Sequence, residues 1–237
     1  MMKKTNLGSL NNPDYDQKFL DYLSQYVTDG KKELFEVILG QRTKNLTIVL
    51  EDIFKAHNAS AVLRTAECMG IQDVHVVEQR NPYDYNPYVL RGAGKWLSLH
   101  KYEGTDQNMK VCFDRLRSEG YKLIATSPHE YAVDYADLEV TEKTAVIFGT
   151  EETGISEYVK ENADGFVKIP MMGFTESFNI SVSAAIVLED FNRKMRKNFP
   201  CELSAEEKST LRLEWYKKVV SRIDIHTRAF EKSLAEE

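Results

Sequence analysis

The stretch Ile169-Pro170-Met171-Met172-Gly173-Phe174-Thr175-Glu176-Ser177-Phe178-Asn179-Ile180-Ser181-Val182-Ser183 changes character partway along, and that change decides the fold class. The run from Phe166 to Pro170 reads as a short buried strand, and a helix is expected from about Asn179 to Lys197. Between them lies a turn rich in small hydroxyls and amides. Such groups gather where the first N–H groups of a helix are unpaired and its dipole is positive, which favours contact with ligand oxygens.

Working outward, the same strand-to-helix unit recurs. Leu46 to Leu50 is an apolar run suited to a buried strand, followed by a helix from Asn58 to Gly70 with Ala59, Val62, Leu63, Ala66 and Met69 on its apolar face. Asn58 is placed to cap its start and Gly70 its end. Further units are a strand Val74 to Glu78, a helix Thr105 to Ser118 closed by Gly120, a strand Tyr121 to Thr126, a strand Ala145 to Gly149 and a helix Ser156 to Ala163. This alternation predicts an α/β fold, a mostly parallel sheet with helices on both faces. Ligands of such sheets bind beyond the carboxyl ends of the strands, so the loops after Leu50, Thr126, Gly149 and Pro170 are the expected site. Gln79 to Trp96, rich in Asn, Pro, Tyr and Gly, reads as an irregular, mobile loop.

Both ends are helical. Phe19, Leu20, Leu23, Tyr26 and Val27 recur at helical spacing, with a break near Asp29-Gly30 before Leu34, Phe35, Ile38 and Leu39. Ser204-Ala205-Glu206-Glu207 forms a capping box ahead of a helix carrying Leu211, Trp215 and Val219, expected to pack on the main domain or on a second subunit. The division expected is therefore 1–44, a helical extension; 45–197, the main domain; and 198–237, a second helical extension.

A chain of 237 residues with 42% hydrophobic residues can bury a full core. Cys68, Cys112 and Cys201 are far apart and form no CxxC pair, which suits core thiols in a reducing compartment. The opening Met1-Met2-Lys3-Lys4-Thr5-Asn6 leads into polar sequence and no apolar run is long enough to span a bilayer, so a cytoplasmic protein without a membrane partner is expected. A net charge of -6 disfavours indiscriminate binding of nucleic acid, while leaving room for a local basic surface. The chain contains no GxxxxGK[ST], GxGxxG, GxSxG or HExxH, and its five histidines are scattered, so no metal is expected.

Three polar clusters remain at strand ends: His57-Asn58-Ala59-Ser60-Ala61-Val62-Leu63-Arg64; Phe148-Gly149-Thr150-Glu151-Glu152-Thr153-Gly154-Ile155-Ser156; and the opening stretch, where Ser177 and Asn179 exceed what one helix cap requires. An arginine such as Arg64 is more often a solvated surface group, and a plain turn explains the glycines about as well as a ligand does.

Together, Asn58 to Arg64, Phe148-Gly149-Thr150-Glu151 with Gly154, and Ile169 to Ser183 resemble the three motifs of the SpoU branch of the SPOUT methyltransferases, in the same order and spacing. The likeness covers about Asn45 to Arg196. Within that branch, "QRTKNLTIVLED", Gly94-Lys95-Trp96 and the helical ends are similar to the tRNA guanosine-2'-O-methyltransferases. The resemblance implies a deep trefoil knot in the C-terminal part of the sheet, S-adenosylmethionine as cofactor, an obligate homodimer, and 2'-O-methylation of a D-loop guanosine of tRNA. The alternatives are a ribosomal RNA 2'-O-methyltransferase of the same branch or a catalytically silent RNA-binding relative.

By the same resemblance Arg64 is the catalytic residue, with Asn58, Glu151, Ser177 and Asn179 arranging it, the ribose and the neighbouring phosphate. Thr126, Gly149, Ile169, Met171 and Phe178 match the family's cofactor positions. A guanidinium holds its proton with a pKa above ~12, so a cation that stabilises the developing alkoxide is the better role for Arg64 than a general base. Candidate RNA contacts are His57, Arg64, Lys95, Arg42, Lys31 and Lys32, together with the run Arg193 to Lys197, whose cations also suit a helix C-terminus without any RNA. Where relatives carry an arginine-rich N-terminal helix, this chain reads Asp14-Tyr15-Asp16-Gln17-Lys18-Phe19-Leu20-Asp21.

Overall fold

Leu46, Ile48 and Leu50 point to one side of their strand and Val49 to the other, and all four are buried, as a strand covered on both faces requires. In the computed structural model, which describes residues 13–53, 55–80, 84–128, 131–150 and 152–236, this strand is β1, Leu46–Glu51. The chain continues through α3 (Ala56–Cys68), β2 (Asp73–Val77), α4 (Pro87–Leu90), β3 (Ser98–Tyr102), α5 (Asn108–Ser118), β4 (Lys122–Thr126), β5 (Val133–Asp134), β6 (Thr144–Phe148), α6 (Glu157–Asn162), β7 (Gly165–Lys168) and α7 (Ile180–Asn198). Before β1 stand α1 (Pro13–Ser24) and α2 (Asp29–Leu39); after α7 come α8 (Ala205–Val219) and α9 (Ile223–Ala235).

Among the described residues the strands form a seven-stranded, wholly parallel sheet in the order β3-β2-β1-β6-β4-β7-β5. One face buries Ala59, Val62, Leu63 and Ala66 of α3 with Ala184, Val187, Leu188 and Phe191 of α7. The other buries Met109, Cys112, Phe113 and Leu116 of α5 with Val159 of α6. From β1 the chain runs outward to β2 and β3, then crosses to β4 on the far side of β6. The carboxyl ends of β1 and β6 therefore flank a switch point, where loops diverge and leave a crevice.

Several elements differ from expectation. Helix α3 begins at Ala56, two residues before Asn58, with Lys55 as a cap that makes no side-chain bond. Asn58 is thus buried in the first turn and not a cap, whereas Gly70 does sit in the left-handed conformation past the end, at φ 74°. Helix α5 begins at Asn108, because Thr105 and Asn108 bond each other ahead of it. The break in the N-terminal helical segment falls at residues 25–28, and Asp29 opens α2. β3 and β5 were not anticipated, since an edge strand of the sequence Ser-Leu-His-Lys-Tyr and a two-residue strand are specified by their neighbours more than by their own pattern. Gln79 to Trp96 contains α4 and a 3-10 turn at Ala93–Lys95. Residues 81–83 of that loop, and Met1 to Asn6, lie outside the described residues.

Residues 42–202 form one compact unit, and 13–41 with 203–236 form a second. In the latter α8 packs on α1 and α2, its Trp215 edge-on to Phe35, and Phe230 of α9 stacks on Phe19. Arg212 grips Glu36 with two hydrogen bonds, one of them 2.7 Å, which holds that carboxyl below its usual range. The capping box of α8 is complete, Ser204 and Glu207 each accepting from the other's backbone.

β2 and β3 bury a chain of titratable groups. His75 Nδ1 lies 2.8 Å from the Tyr102 hydroxyl and its ring stacks on His100, which contacts Asp73 at 2.9 Å. Burial, aided by His100 and Arg115, lowers the His75 pKa from 6.5 to about 3. The unfolded chain takes up a proton below pH 6.5 that folded His75 refuses. Stability is expected to be level above that pH and to fall as pH drops toward about 3. At about 1.4 kcal/mol per pKa unit the loss reaches roughly 3–5 kcal/mol. Denaturant melts at pH 7 and pH 4.5 should show it, and His75→Gln should flatten the slope; an unchanged slope in that variant would refute the assignment.

Candidate active site

The four loops singled out by the strand-end argument converge on one cavity of about 530 Å³. Lys55 enters from the loop after β1, Thr126 to Pro128 from that after β4, Phe148 to Thr150 and Glu152 to Ile155 from that after β6, and Ile169, Met171 and Glu176 to Ile180 from that after β7. The five expected cofactor residues, Thr126, Gly149, Ile169, Met171 and Phe178, all line it, as do Ser177 and Asn179.

The loop after β6 is held by its own backbone. Thr150 N–H donates to Gly154 O at 2.9 Å and Gly154 N–H returns to Thr150 O at 3.1 Å, while the Thr150 hydroxyl receives Thr153 N–H. Gly154 has φ +70°, and a Cβ on Gly149 would stand 2.3 Å from the Gly154 carbonyl, so the turn requires both glycines. Its far end is tied down by Glu51, 2% exposed, whose carboxylate accepts from Ser156 N–H at 3.0 Å and from the Gln79 amide at 3.2 Å. Burial pushes the Glu51 pKa up, and those hydrogen bonds oppose the shift.

The loop after β7 presents bare backbone. Among the described residues, no N–H from Ile169 to Asn179 donates to another backbone carbonyl. Asn179 caps α7, its side-chain oxygen accepting from Ser181 N–H at 2.9 Å and from the Ser181 hydroxyl at 2.6 Å. Its amide nitrogen donates to the Asn58 side-chain oxygen at 3.2 Å, which joins the first and third sequence clusters across 121 positions.

Arg64 sits on α3, exposed and without an ion pair or hydrogen bond among the described residues, and it does not line the cavity of its own chain. His57 and Lys95 are exposed, on α3 and the 3-10 turn. Lys31 is exposed on α2, and Lys32 pairs with Asp29 at 3.0 Å. Glu151 lies outside the described residues. Arg42 corrects an expectation: it is 1% exposed, pairs with Glu67 at 2.7 Å and donates to the Ile71 carbonyl, so it holds β1 to the end of α3 and offers no donor to an RNA. Within Arg193 to Lys197, Lys194 is committed to the carbonyls of Tyr135, Ala136 and Leu138, and Arg196 to Met69 and Asn192.

Sequence reading missed Lys55, Lys160 and Lys168 in the cavity wall and Glu51 behind it. Lys55 lies in one of the four loops named; nothing in the types of the others marks them out. Among the described residues no three His, Cys, Asp or Glu side chains are placed to hold a metal ion, and no helix is long and apolar enough to cross a membrane.

Comparison with known proteins bears on this geometry. The profile of the SpoU rRNA Methylase family matches residues 45–189. A curated tRNA (guanosine(18)-2'-O)-methyltransferase of Borreliella burgdorferi is 46% identical over 204 residues, 86% of this chain and 92% of the relative. Among solved structures, the A. aeolicus TrmH/SpoU tRNA modifying enzyme superposes with a TM-score of 0.72 at 24% identity, covering 82% of this chain and 98% of that one. The SpoU methyltransferase AviRb of Streptomyces viridochromogenes, solved with AdoMet, gives 0.57 at 24% identity over 66% of this chain and 62% of its own. At such identities these two structures speak to the fold.

Proposed function

From the premise that this chain belongs to the SpoU rRNA Methylase family, we propose that it is an S-adenosylmethionine-dependent tRNA 2'-O-methyltransferase whose target is guanosine 18. The observation that carries the reading is the union of cavity and motif: the loops after β4, β6 and β7 enclose one space, and the Asn58–Asn179 contact fixes α3 against its rim.

The cavity suits an adenosyl ligand. Its volume is in the range of small-molecule sites, Ile155, Ile169, Met171, Phe178 and Val187 give apolar walls, and the backbone N–H groups after Ile169, which donate to no backbone carbonyl among the described residues, can meet ring nitrogens and carboxylate oxygens. S-adenosylmethionine bound there supplies a methyl group already activated by its sulfonium. What the chain must add is an aligned ribose and a means to accommodate the charge that develops on its 2'-oxygen. In this reading Ser177 and Asn179 hold the ribose edge, and Arg64 stabilises the forming alkoxide with a guanidinium that keeps its own proton. Glu151 belongs to the same proposed set, and His57, Lys95, Lys31 and Lys32 are proposed RNA contacts.

A homodimer is part of the reading. Arg64 does not line its own cavity, while Met172 and Phe174 stand fully exposed on the loop beside it. A second copy laid over that loop would cover both and bring another arginine to the site. The same reading takes 45–197 as the catalytic domain, includes a knotted threading of the last strands, and sets the enzyme in the cytoplasm. The test is to incubate the protein and labelled cofactor with unmodified tRNA and rRNA, then map the methylated position. Label at the 2'-oxygen of tRNA guanosine 18 is expected; label in rRNA alone would move the substrate, and no label in any RNA would refute the enzyme reading.

A further inference from the structure

One face of α3 carries exposed His57 and Arg64 on either side of buried Ser60. His57, Ser60 and Arg64 are spaced i, i+3 and i+7, so they share a face. Ser60 is buried and accepts Asn86 N–H at 2.7 Å, while its hydroxyl donates to Ala56 O at 2.6 Å. That bond seats the start of α4 against this face.

From Asn86 onward the backbone is pinned. The Asn86 side chain accepts from Tyr88 N–H at 3.0 Å and caps α4, Pro87 opens the helix, and Leu90 anchors it in the core with Val62 and Leu63. Arg91, φ 47°, and Gly92, φ 79°, then reverse the chain in the left-handed region. A non-glycine residue in that conformation is strained, and such strain persists where the surroundings hold it. The outcome is a fixed backbone support carrying Tyr88, a residue 90% exposed, two positions from the buried Leu90 and on the opposite side of the turn.

An aromatic side chain this exposed, on a pinned backbone, contributes little to folding. On α3, on α4's C-cap and on the 3-10 turn, both of which pack on α3, four exposed side chains have no ion pair or hydrogen bond among the described residues: His57, Arg64, Arg91 and Lys95. In a chain of net charge -6, Arg64, Arg91 and Lys95 make a local cationic surface, and Glu67, three residues beyond Arg64, is paired with Arg42. Unpaired cations around an exposed ring are the combination that binds single-stranded nucleic acid, phosphates to the cations and a base to the ring.

We propose that Tyr88 is a stacking platform for one unpaired base of the RNA substrate, held beside the face of α3 that carries Arg64. The proposal rests on the reading of the chain as an RNA methyltransferase. It adds a base-binding subsite to the ribose site, one that takes any base with an open face and so selects a looped, unstacked strand over a duplex.

The test is binding of an unmodified tRNA transcript by wild type, Tyr88→Ala and Tyr88→Phe across a salt series. Tyr88→Ala should weaken Kd about 5- to 150-fold, the range for one stacked base, with an unchanged salt slope because no charge is lost. Tyr88→Phe should stay within about twofold, the scatter of substitutions away from a contact. S-adenosylmethionine affinity, read by calorimetry, should be the same in all three. A neutral Tyr88→Ala in a wild type that methylates RNA would overturn the stacking alone. An equally weak Tyr88→Phe would assign the contact to the hydroxyl, and altered sedimentation of Tyr88→Ala would assign the ring to a contact between copies; both overturn it. A wild type that neither binds nor methylates RNA overturns the enzyme reading before any variant is made.

Discussion

Arg64→Ala is expected to lower kcat for tRNA methylation by about 10²- to 10³-fold, the loss on removing one group that stabilises a developing oxyanion. Thermal stability and S-adenosylmethionine affinity should hardly change. The separation is possible because Arg64 is exposed, carries no ion pair among the described residues and lies off the cavity wall, so its removal leaves no buried partner and no void. Arg64→Lys distinguishes two roles. A lysine keeps the charge but loses the planar fork of donors, so near-normal turnover would show that charge alone suffices. A kcat within about threefold of wild type in Arg64→Ala would remove this residue from the chemistry, since that is the effect of an ordinary surface change.

The second large effect is expected at Gly149. Alanine there would bring a Cβ to 2.3 Å from both the Gly154 carbonyl carbon and its oxygen, and to 2.5 Å from Ile155 N. Those neighbours are backbone and have no rotamer to yield. The turn from Thr150 to Gly154 must open, which costs about 1–3 kcal/mol in stability and misplaces a whole wall of the cavity. S-adenosylmethionine affinity should fall about tenfold or more, the equivalent of about 1.4 kcal/mol. Titration calorimetry beside a thermal melt checks both. An alanine variant that binds the cofactor normally would mean that this loop does not shape the cofactor site.

These residues differ in how visible they are in the chain. Gly149, Gly154, Ser177 and Asn179 stand in short segments whose composition, polar or glycine-rich between apolar runs, already marks them. Arg42, named with the candidate RNA contacts, is placed by the structure under cover with Glu67. A sequence gives the charge of a side chain; whether it is solvated or paired depends on what the fold sets within a few ångströms. Tyr88 carries the same lesson in reverse. A loop rich in Asn, Pro, Tyr and Gly reads as irregular, and only the Ser60–Asn86 bond and the burial of Leu90 reveal that it is pinned.

The chain by itself determined the alternation of strands and helices, the double-sided burial of the sheet and the four loops that meet at the cavity. Each follows from local periodicity and from the rule that parallel sheets bind at their carboxyl ends. Tertiary structure alone decided the strand order β3-β2-β1-β6-β4-β7-β5, the presence of β3 and β5, the union of Asn58 with Asn179 and the burial of Arg42. Parallel strands have no local hairpin to set their neighbours, so pairing is chosen by the global fit of helices over both faces. Contacts between residues more than a hundred positions apart come into being only when that fit is made.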